Sequence, residues 1–307
     1  RQGLEAAAKA GLDPAGLEHI ELSASEVSNP DILTTERFWG LVIPSCPTYP
    51  ADGGRAFRRF LEGGGDVMTL GGPLMEQPLR RFGDNWLTQQ ELMDRLAAIE
   101  PSHLIFNPAT ADIADFPQGG GPDTEATWSF SEEGPRPSVK SLNLDSPRMV
   151  SWATLGITDL AETFRPGEKL TCFWAKGGVN TTSMSFEWTE QDGSRWIAVV
   201  PVTREWRHYS LRPSEFKYWH DSASKNRGFA GDSFNPEQAS HFAVGLALTH
   251  TPVNAGPHEL WIADIGTAPS PLEDEGLSLE FDFPTVEQLY PAYKFHRVTN
   301  AKGLEVS

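Results

Sequence analysis

The chain has 307 residues, with 25 Lys and Arg against 42 Asp and Glu, for a formal charge of −17. That length is enough for two ordinary domains with separate cores. The charge argues against nucleic acid and anionic membrane surfaces as partners, because both are held by clustered Lys and Arg. No apolar run reaches the length of a membrane span, and no basic-then-apolar leader is present. The opening residues carry Leu4, Ala7, Ala8 and Leu12 at helical spacing, as if an amphipathic helix were entered part-way, so a fragment or processed form is expected. Cys46 and Cys172 fall in different predicted domains, which speaks against a disulfide framework.

Residues 1–101 alternate helix and strand signals. A helix is expected over 2–9, ended by Gly11, then a strand over 19–24 ("HIELSA") and an apolar strand over 38–46 ("FWGLVIPSC"). Asp52 is a candidate helix N-cap; Phe57, Phe60 and Leu61 form the apolar stripe of that helix, and glycines 63–65 stop it. A strand over 67–70 and a helix over 88–99 complete the unit, and the β-α-β spacing implies a parallel sheet with helices on its faces. Residues 102–123, ending in "FPQGGGPD", read as a linker. Beyond it the helical period gives way to short alternating runs: "TWSF", "MVSWATLGI", "KLTCFWAK", "SMSFEWTE", "RWIAVVPV", "WRHYSL", "SHFAVGLAL" and "ELWIADIGT". With turn signals such as Asp192-Gly193 between them, these predict an antiparallel β-sandwich over 124–268. Residues 269–307 are acidic at first and then carry "YPAYKFHRV", the expected start of a following module.

The ordered series "LTCFWAK", "FEWTEQDGSRWIAVVPVTREWRHYSLRPSEF", "FNPEQASHFAVGLALT" and "HELWIADIG" resembles the galactose-binding-like jelly-roll modules of bacterial carbohydrate-active enzymes. The stretch "LVIPSCPTYPADGGRAFRRFLEGGGDVMTLGG" resembles the amidotransferase-like, flavodoxin-like α/β domain that accompanies glycoside hydrolases of the β-galactosidase type, here without its first strand. Together these resemblances imply a non-catalytic accessory segment of a polysaccharide-degrading enzyme. They also imply an oligo- or polysaccharide partner, no organic cofactor, a secreted or periplasmic location in a bacterium, and an α/β unit acting as scaffold or homo-oligomerisation element. Hydrolysis by the segment itself and a purely structural spacer are the competing readings.

In catalytic amidotransferases the strand equivalent to 67–70 runs into an elbow bearing a Cys; here Gly71, Gly72 and Pro73 stand there, with no thiol or hydroxyl. Cys46 also ends a predicted strand, but His19 and His103 show no diagnostic spacing to it, and a buried inert thiol is the expectation. Glu187, Glu190, Glu205 and the run Ser131-Glu132-Glu133 offer carboxylates, and nothing selects a glycosidase pair among them. Aromatics carry the stronger signal, because sugar rings stack their C–H faces on Trp and Tyr while hydroxyls bond to polar neighbours. Strand alternation sets Trp174 and Lys176 opposite Phe173 and Ala175, and Glu187 opposite Phe186 and Trp188, so a face carrying Trp174, Lys176 and Glu187 is expected to bind sugar. The loop 216–229 adds Tyr218, Trp219, Asn226 and Arg227. Core or edge packing is the alternative for each Trp. The jelly-roll resemblance further implies a structural calcium ion between the first and last strands, with Asp264, placed by alternation on the face of Ile262, and Glu132 as ligands; a side chain capping a turn is the alternative.

Overall fold

A computed structural model describes residues 6, 8, 10–14, 16–44, 47–71, 75–158, 160 and 162–272, and the backbone of 298, 299, 305 and 306. Most of the expected first helix, Cys46, Gly72, Pro73 and nearly all of the "YPAYKFHRV" tail lie outside the described residues. The chain divides into two compact units between Met93 and Asp94.

The first unit is a small α/β assembly with parallel strands. β1 (Gly40–Pro44) and β3 (Asp66–Leu70) pair in parallel, and the crossover between them carries α2 (Gly54–Glu62). β2 (Thr48–Pro50) pairs in parallel with β4 (Gln77–Phe82), which turns through Gly83 into β5 (Asn85–Leu87). Phe57, Phe60 and Leu61 of α2 are buried with Leu33, Ile43 and Tyr49, as their helical spacing requires. Two local expectations fail for identifiable reasons. Residues 19–23 form no strand: Ser23 caps α1 (Ala24–Ser28) and exchanges hydrogen bonds with Glu26, a capping box that commits the chain to a helix. Asp52 is not the N-cap of α2; it sits in a 3-10 turn, and Gly53 precedes the helix. A third helix, α3 (Gln89–Ala97), runs through the boundary between the units and is preceded by Thr88, which pairs with Glu91 in the same capping pattern.

The second unit is a sandwich of two six-stranded, antiparallel sheets. One runs in the order β15 (Lys217–Tyr218), β13 (Arg195–Pro201), β12 (Ser183–Glu190), β16 (Ala239–Ala247), β10 (Trp152–Ile157), β7 (Gln118–Gly120). The other runs β14 (Arg207–Leu211), β11 (Glu168–Gly177), β17 (Gly256–Pro269), β9 (Ser141–Met149), β8 (Glu125–Ser131), with β6 (His103–Phe106) also pairing to β17. Residues 102–123, expected as a linker, therefore contribute two strands, one to each sheet.

Alternation selects the core. Met184, Phe186 and Trp188 of β12, Trp196 and Ala198 of β13, and Phe242, Val244 and Leu246 of β16 meet Phe173 and Ala175 of β11 and Leu260 and Ile262 of β17. Phe173 and Phe186 stack between the sheets with ring centroids 5.2 Å apart. The Trp188 indole, wholly buried, donates from Nε1 to Thr171 Oγ1 at 2.9 Å, so its one polar atom is satisfied inside the core. Each such side chain contributes about 1.5–3 kcal/mol by leaving water. Across the outer face of the second sheet lies the chain from Ala97 to Ser102. His208 Nδ1 donates to the Ala97 carbonyl at 2.7 Å and Ser210 Oγ to that of Ile99 at 2.9 Å, while Ile99 packs on Leu170, Cys172 and Ala268.

Candidate functional site

The outer face of the β12 sheet is built from small residues. The strand registers set Val199, Ser185, Gly245, Thr154 and Gly119 in one row across five strands, and Ile197, Glu187, Ala243 and Gly156 in the next. Apart from Val199, Ile197 and Glu187, no side chain in these rows is larger than Thr. Gly245 is required there by its backbone: φ is +153°, and a Cβ would lie 2.2 Å from the Ala153 carbonyl oxygen. At the β7 edge the Trp152 ring lies over Gly119, where a Cβ would come within 2.4 Å of it; Trp152 is 37% exposed. With strands about 4.8 Å apart, the row from β13 to β7 spans about 19 Å.

The far end of this face carries polar and aromatic groups. Arg195 holds Glu187 in a two-point pair, Nε to Oε1 at 2.7 Å and an Nη to Oε2 at 2.8 Å. Trp219, whose amide donates to the Arg195 carbonyl at 2.7 Å, sets its ring 5.3 Å from that of His250 and 4.5 Å from that of His220. His241, on β16, lies in register with Thr189 on the same face. We read this face as a shallow groove: a floor of glycine, serine, alanine and threonine in which Ser185 (4% exposed) and Gly245 are buried, an indole at the β7 edge, and an indole, imidazoles and an ion pair toward the other end. Such a surface offers flat apolar rings and hydrogen-bonding groups around a floor that leaves room for a bulky ligand.

Burial lowers the pKa of both His241 and His250; the Arg195 charge lowers them further, and Glu187 opposes the shift. A histidine depressed in the folded state makes no difference to stability above its ordinary value of 6.5. Below that value the unfolded chain takes up the proton first, so stability declines as pH falls toward the folded value. The sandwich is therefore expected to melt earlier as pH drops below 6.5, and replacing both residues by Gln should flatten that part of the profile; calorimetry across the pH range checks it.

The sequence-predicted residues are scattered by the fold. Trp174 and Lys176 are on β11 and Glu187 on β12, which belong to opposite sheets, so the three do not share a face. Alternation separates inward from outward residues but does not say which sheet a strand joins. The Trp174 ring meets His208 edge-on at 5.2 Å, with the Arg136 guanidinium 5.9 Å from its centroid, on the face crossed by residues 97–102. Lys176 bonds Glu133, and its ammonium sits 4.3 Å from the Trp261 ring centroid. Tyr218 points inward, edge-on to Trp196 at 5.5 Å, its hydroxyl donating to Ser224 O at 2.9 Å. Asn226 is exposed in a turn at φ 64°, a conformation Asn tolerates. Arg227 is engaged by Glu190, Asp192 and Asp232. Of the set, Glu187 and Trp219 belong to the groove.

Trp152, Ser185, His241, His250, Gly119 and Gly245 were not singled out by the sequence. Glycines 119–121 carried a signal, read as a linker, and Trp152 sat in a recognised strand with no face assigned.

Asp264 and Glu132 do not fit a calcium ion. Asp264 is paired with Arg136 and Glu132 with Lys140 at 2.6 Å, and no group of three metal-ligating side chains occurs among the described residues. Asp264 also leaves the face of Ile262: β17 carries a bulge opposite Phe173, and Asp264 turns through φ 50° toward Arg136.

No family model and no curated protein matches the chain. Over 54% of its length it is similar to a family 11 carbohydrate-binding module from Clostridium thermocellum in complex with a mixed-linked β-1,3-1,4 tetrasaccharide, with 95% of that chain covered, 9% identity and a TM-score of 0.44. A family 30 carbohydrate-binding module of a cellulosomal cellulase of the same organism matches over 56% of this chain and 95% of its own, at 16% identity and a TM-score of 0.37. An exo-β-agarase matches over 57% of this chain and 26% of its own, at 14% identity and a TM-score of 0.39. At these identities and scores the likeness says nothing about a ligand or a site.

Proposed function

We propose that the sandwich is a carbohydrate-binding module that holds a neutral oligo- or polysaccharide along the outer face of the β12 sheet, in a non-catalytic accessory segment of a polysaccharide-degrading enzyme. The observation that carries this reading is the row of Ser185, Gly245, Thr154 and Gly119 as a floor, between Trp152 at one end and Trp219 with the Glu187–Arg195 pair at the other. The indoles offer faces to sugar C–H groups, and Glu187, Arg195 and the imidazoles offer partners to hydroxyls. The ordered motif series of the sandwich, similar to galactose-binding-like modules, points the same way. The α/β unit is proposed as scaffold or oligomerisation element.

Affinity electrophoresis of the full chain through gels carrying different soluble polysaccharides, followed by a reducing-sugar assay on the same substrates, tests the role. Retardation by at least one polysaccharide with no new reducing ends is expected. Release of reducing ends by this chain alone would overturn the non-catalytic reading, and absence of retardation across the panel would overturn binding along this face.

A further inference from the structure

A second concavity, of about 410 Å³, opens at the β15 edge on the other side of the sheet from the groove. Tyr218 pairs with Trp196 across β15 and β13 and both face inward, whereas Glu187 and Arg195 face out. Trp196 lines this cleft and is 1% exposed, with the Arg227 guanidinium 5.3 Å from its ring centroid; its Nε1–H is buried and has no hydrogen-bond partner. The Ser214 hydroxyl, in the same wall, is buried and unpartnered as well. Buried donors are nearly always paired; the indoles of Trp128 and Trp174 are unpartnered in the same way, but Trp196 and Ser214 share one cleft, where a ligand that accepted from them would recover the lost hydrogen bonds.

The rim is apolar. Phe229 is 66% exposed and the Tyr218 ring lies beside Gly228, where a Cβ would strike it at 2.5 Å. The charges of the cleft are already committed: Asp232 is bound by Arg227 through two bonds of 2.9 and 3.1 Å, and Lys217 donates to Ser214 O at 3.0 Å. The cleft therefore suits a neutral ligand with a flat apolar face and several oxygens. A track laid across five strands suits the interior of a chain; a cleft confined to one sheet edge suits an end.

We infer that this cleft is a second sugar site, which takes the terminal pyranose ring of a neutral glycan. The ring lies against Phe229 and Tyr218, and its oxygens accept from Trp196 Nε1 and engage Ser214 Oγ. The ligand class rests on the proposed carbohydrate-binding role; the site itself rests on the unpaired donors.

Methyl β-glucoside and methyl β-galactoside are the probes, added separately to the full ¹⁵N-labelled chain while the indole N–H signals are followed. The Trp196 signal is assigned by its loss in Trp196→Phe or, should that variant not fold, by its contacts with the Tyr218 ring. It is expected to move with one of the two glycosides, to keep moving in Trp152→Ala, and to require about tenfold more glycoside in Phe229→Ala at an unchanged melting temperature. A Trp196 signal that neither glycoside moves, or one whose response survives Phe229→Ala undiminished, overturns the second site. Groove and cleft fail separately: polysaccharide retardation without a Trp196 response removes only the cleft, and a Trp196 response without retardation removes only the groove.

Discussion

Replacing Arg227 by Ala is expected to cost the sandwich about 3 kcal/mol and to lower its melting temperature by roughly 10 °C. The cost comes from what the arginine leaves behind. Its guanidinium donates to Glu190 at 2.8 Å, to Asp192 at 3.2 Å and to Asp232 at 2.9 and 3.1 Å. Glu190 is only 2% exposed, and its remaining partner is the Asn235 amide at 2.7 Å. A carboxylate stripped of its cation in that position keeps its desolvation penalty without the compensating attraction. Donating to Asp232 raises the Arg227 pKa further above its already high value, and accepting from Arg227 lowers that of Asp232. A depressed carboxylate contributes stability that is present above its ordinary value of 3.8 and lost as pH falls through the folded value, so the wild type should weaken in acid by a term the variant lacks. Adding Glu190→Gln to Arg227→Ala removes the stranded charge and should recover part of the loss. Chemical denaturation at neutral and acid pH measures all of this. A variant that melts with the wild type but no longer binds polysaccharide would return Arg227 to the ligand site, where the sequence had placed it.

Arg227 illustrates how far the sequence reaches. Position in an aromatic loop made it a candidate ligand residue; only the fold shows that Glu190, 37 residues away, and Asp232 converge on it. Strand alternation was legible where it was strong: "SMSFEWTE" is β12 to the residue, and its inward and outward faces are those its pattern demands. The same rule misplaced Asp264, because a one-residue bulge reverses every face beyond it and leaves little trace in the sequence. It missed β9, whose "SLNLDSPRM" contains Pro147 between the charges Asp145 and Arg148, features that read as a loop. β7 could not be read from its own residues, because Gln118, Gly119 and Gly120 show no pattern and are recruited by the free edge of β10. The groove was hidden for the same reason. Its floor is defined by small or missing side chains on four strands brought side by side, and no single strand records that coincidence. Sheet membership was the other loss: Trp174 and Glu187 both face out, but from opposite sheets.

Trp219→Ala should weaken polysaccharide binding about tenfold while leaving the thermal transition nearly in place. The ring is half-buried and its contacts are His220 and His250, so its removal takes little from the core cluster. A stacked aromatic contributes about 1 kcal/mol beyond the area it covers, and each 1.4 kcal/mol is about tenfold in affinity. Trp152→Ala at the opposite end should act in the same direction, and because the two rings stand at separate ends of the groove their effects should combine close to additively. The geometry also sets a dependence on ligand length. A chain lying across β13, β12, β16, β10 and β7 gains contacts with each added sugar until it has crossed about 19 Å of sheet, and nothing further after that. Affinity measured by titration calorimetry should therefore climb through a series of oligosaccharides and then level off, with the plateau reached at shorter lengths in Trp152→Ala. If a monosaccharide binds the groove as tightly as the longest oligomer, the row of Ser185, Gly245, Thr154 and Gly119 is not the binding track. If Trp219→Ala melts many degrees early, the indole is a packing residue, and the groove loses its aromatic wall.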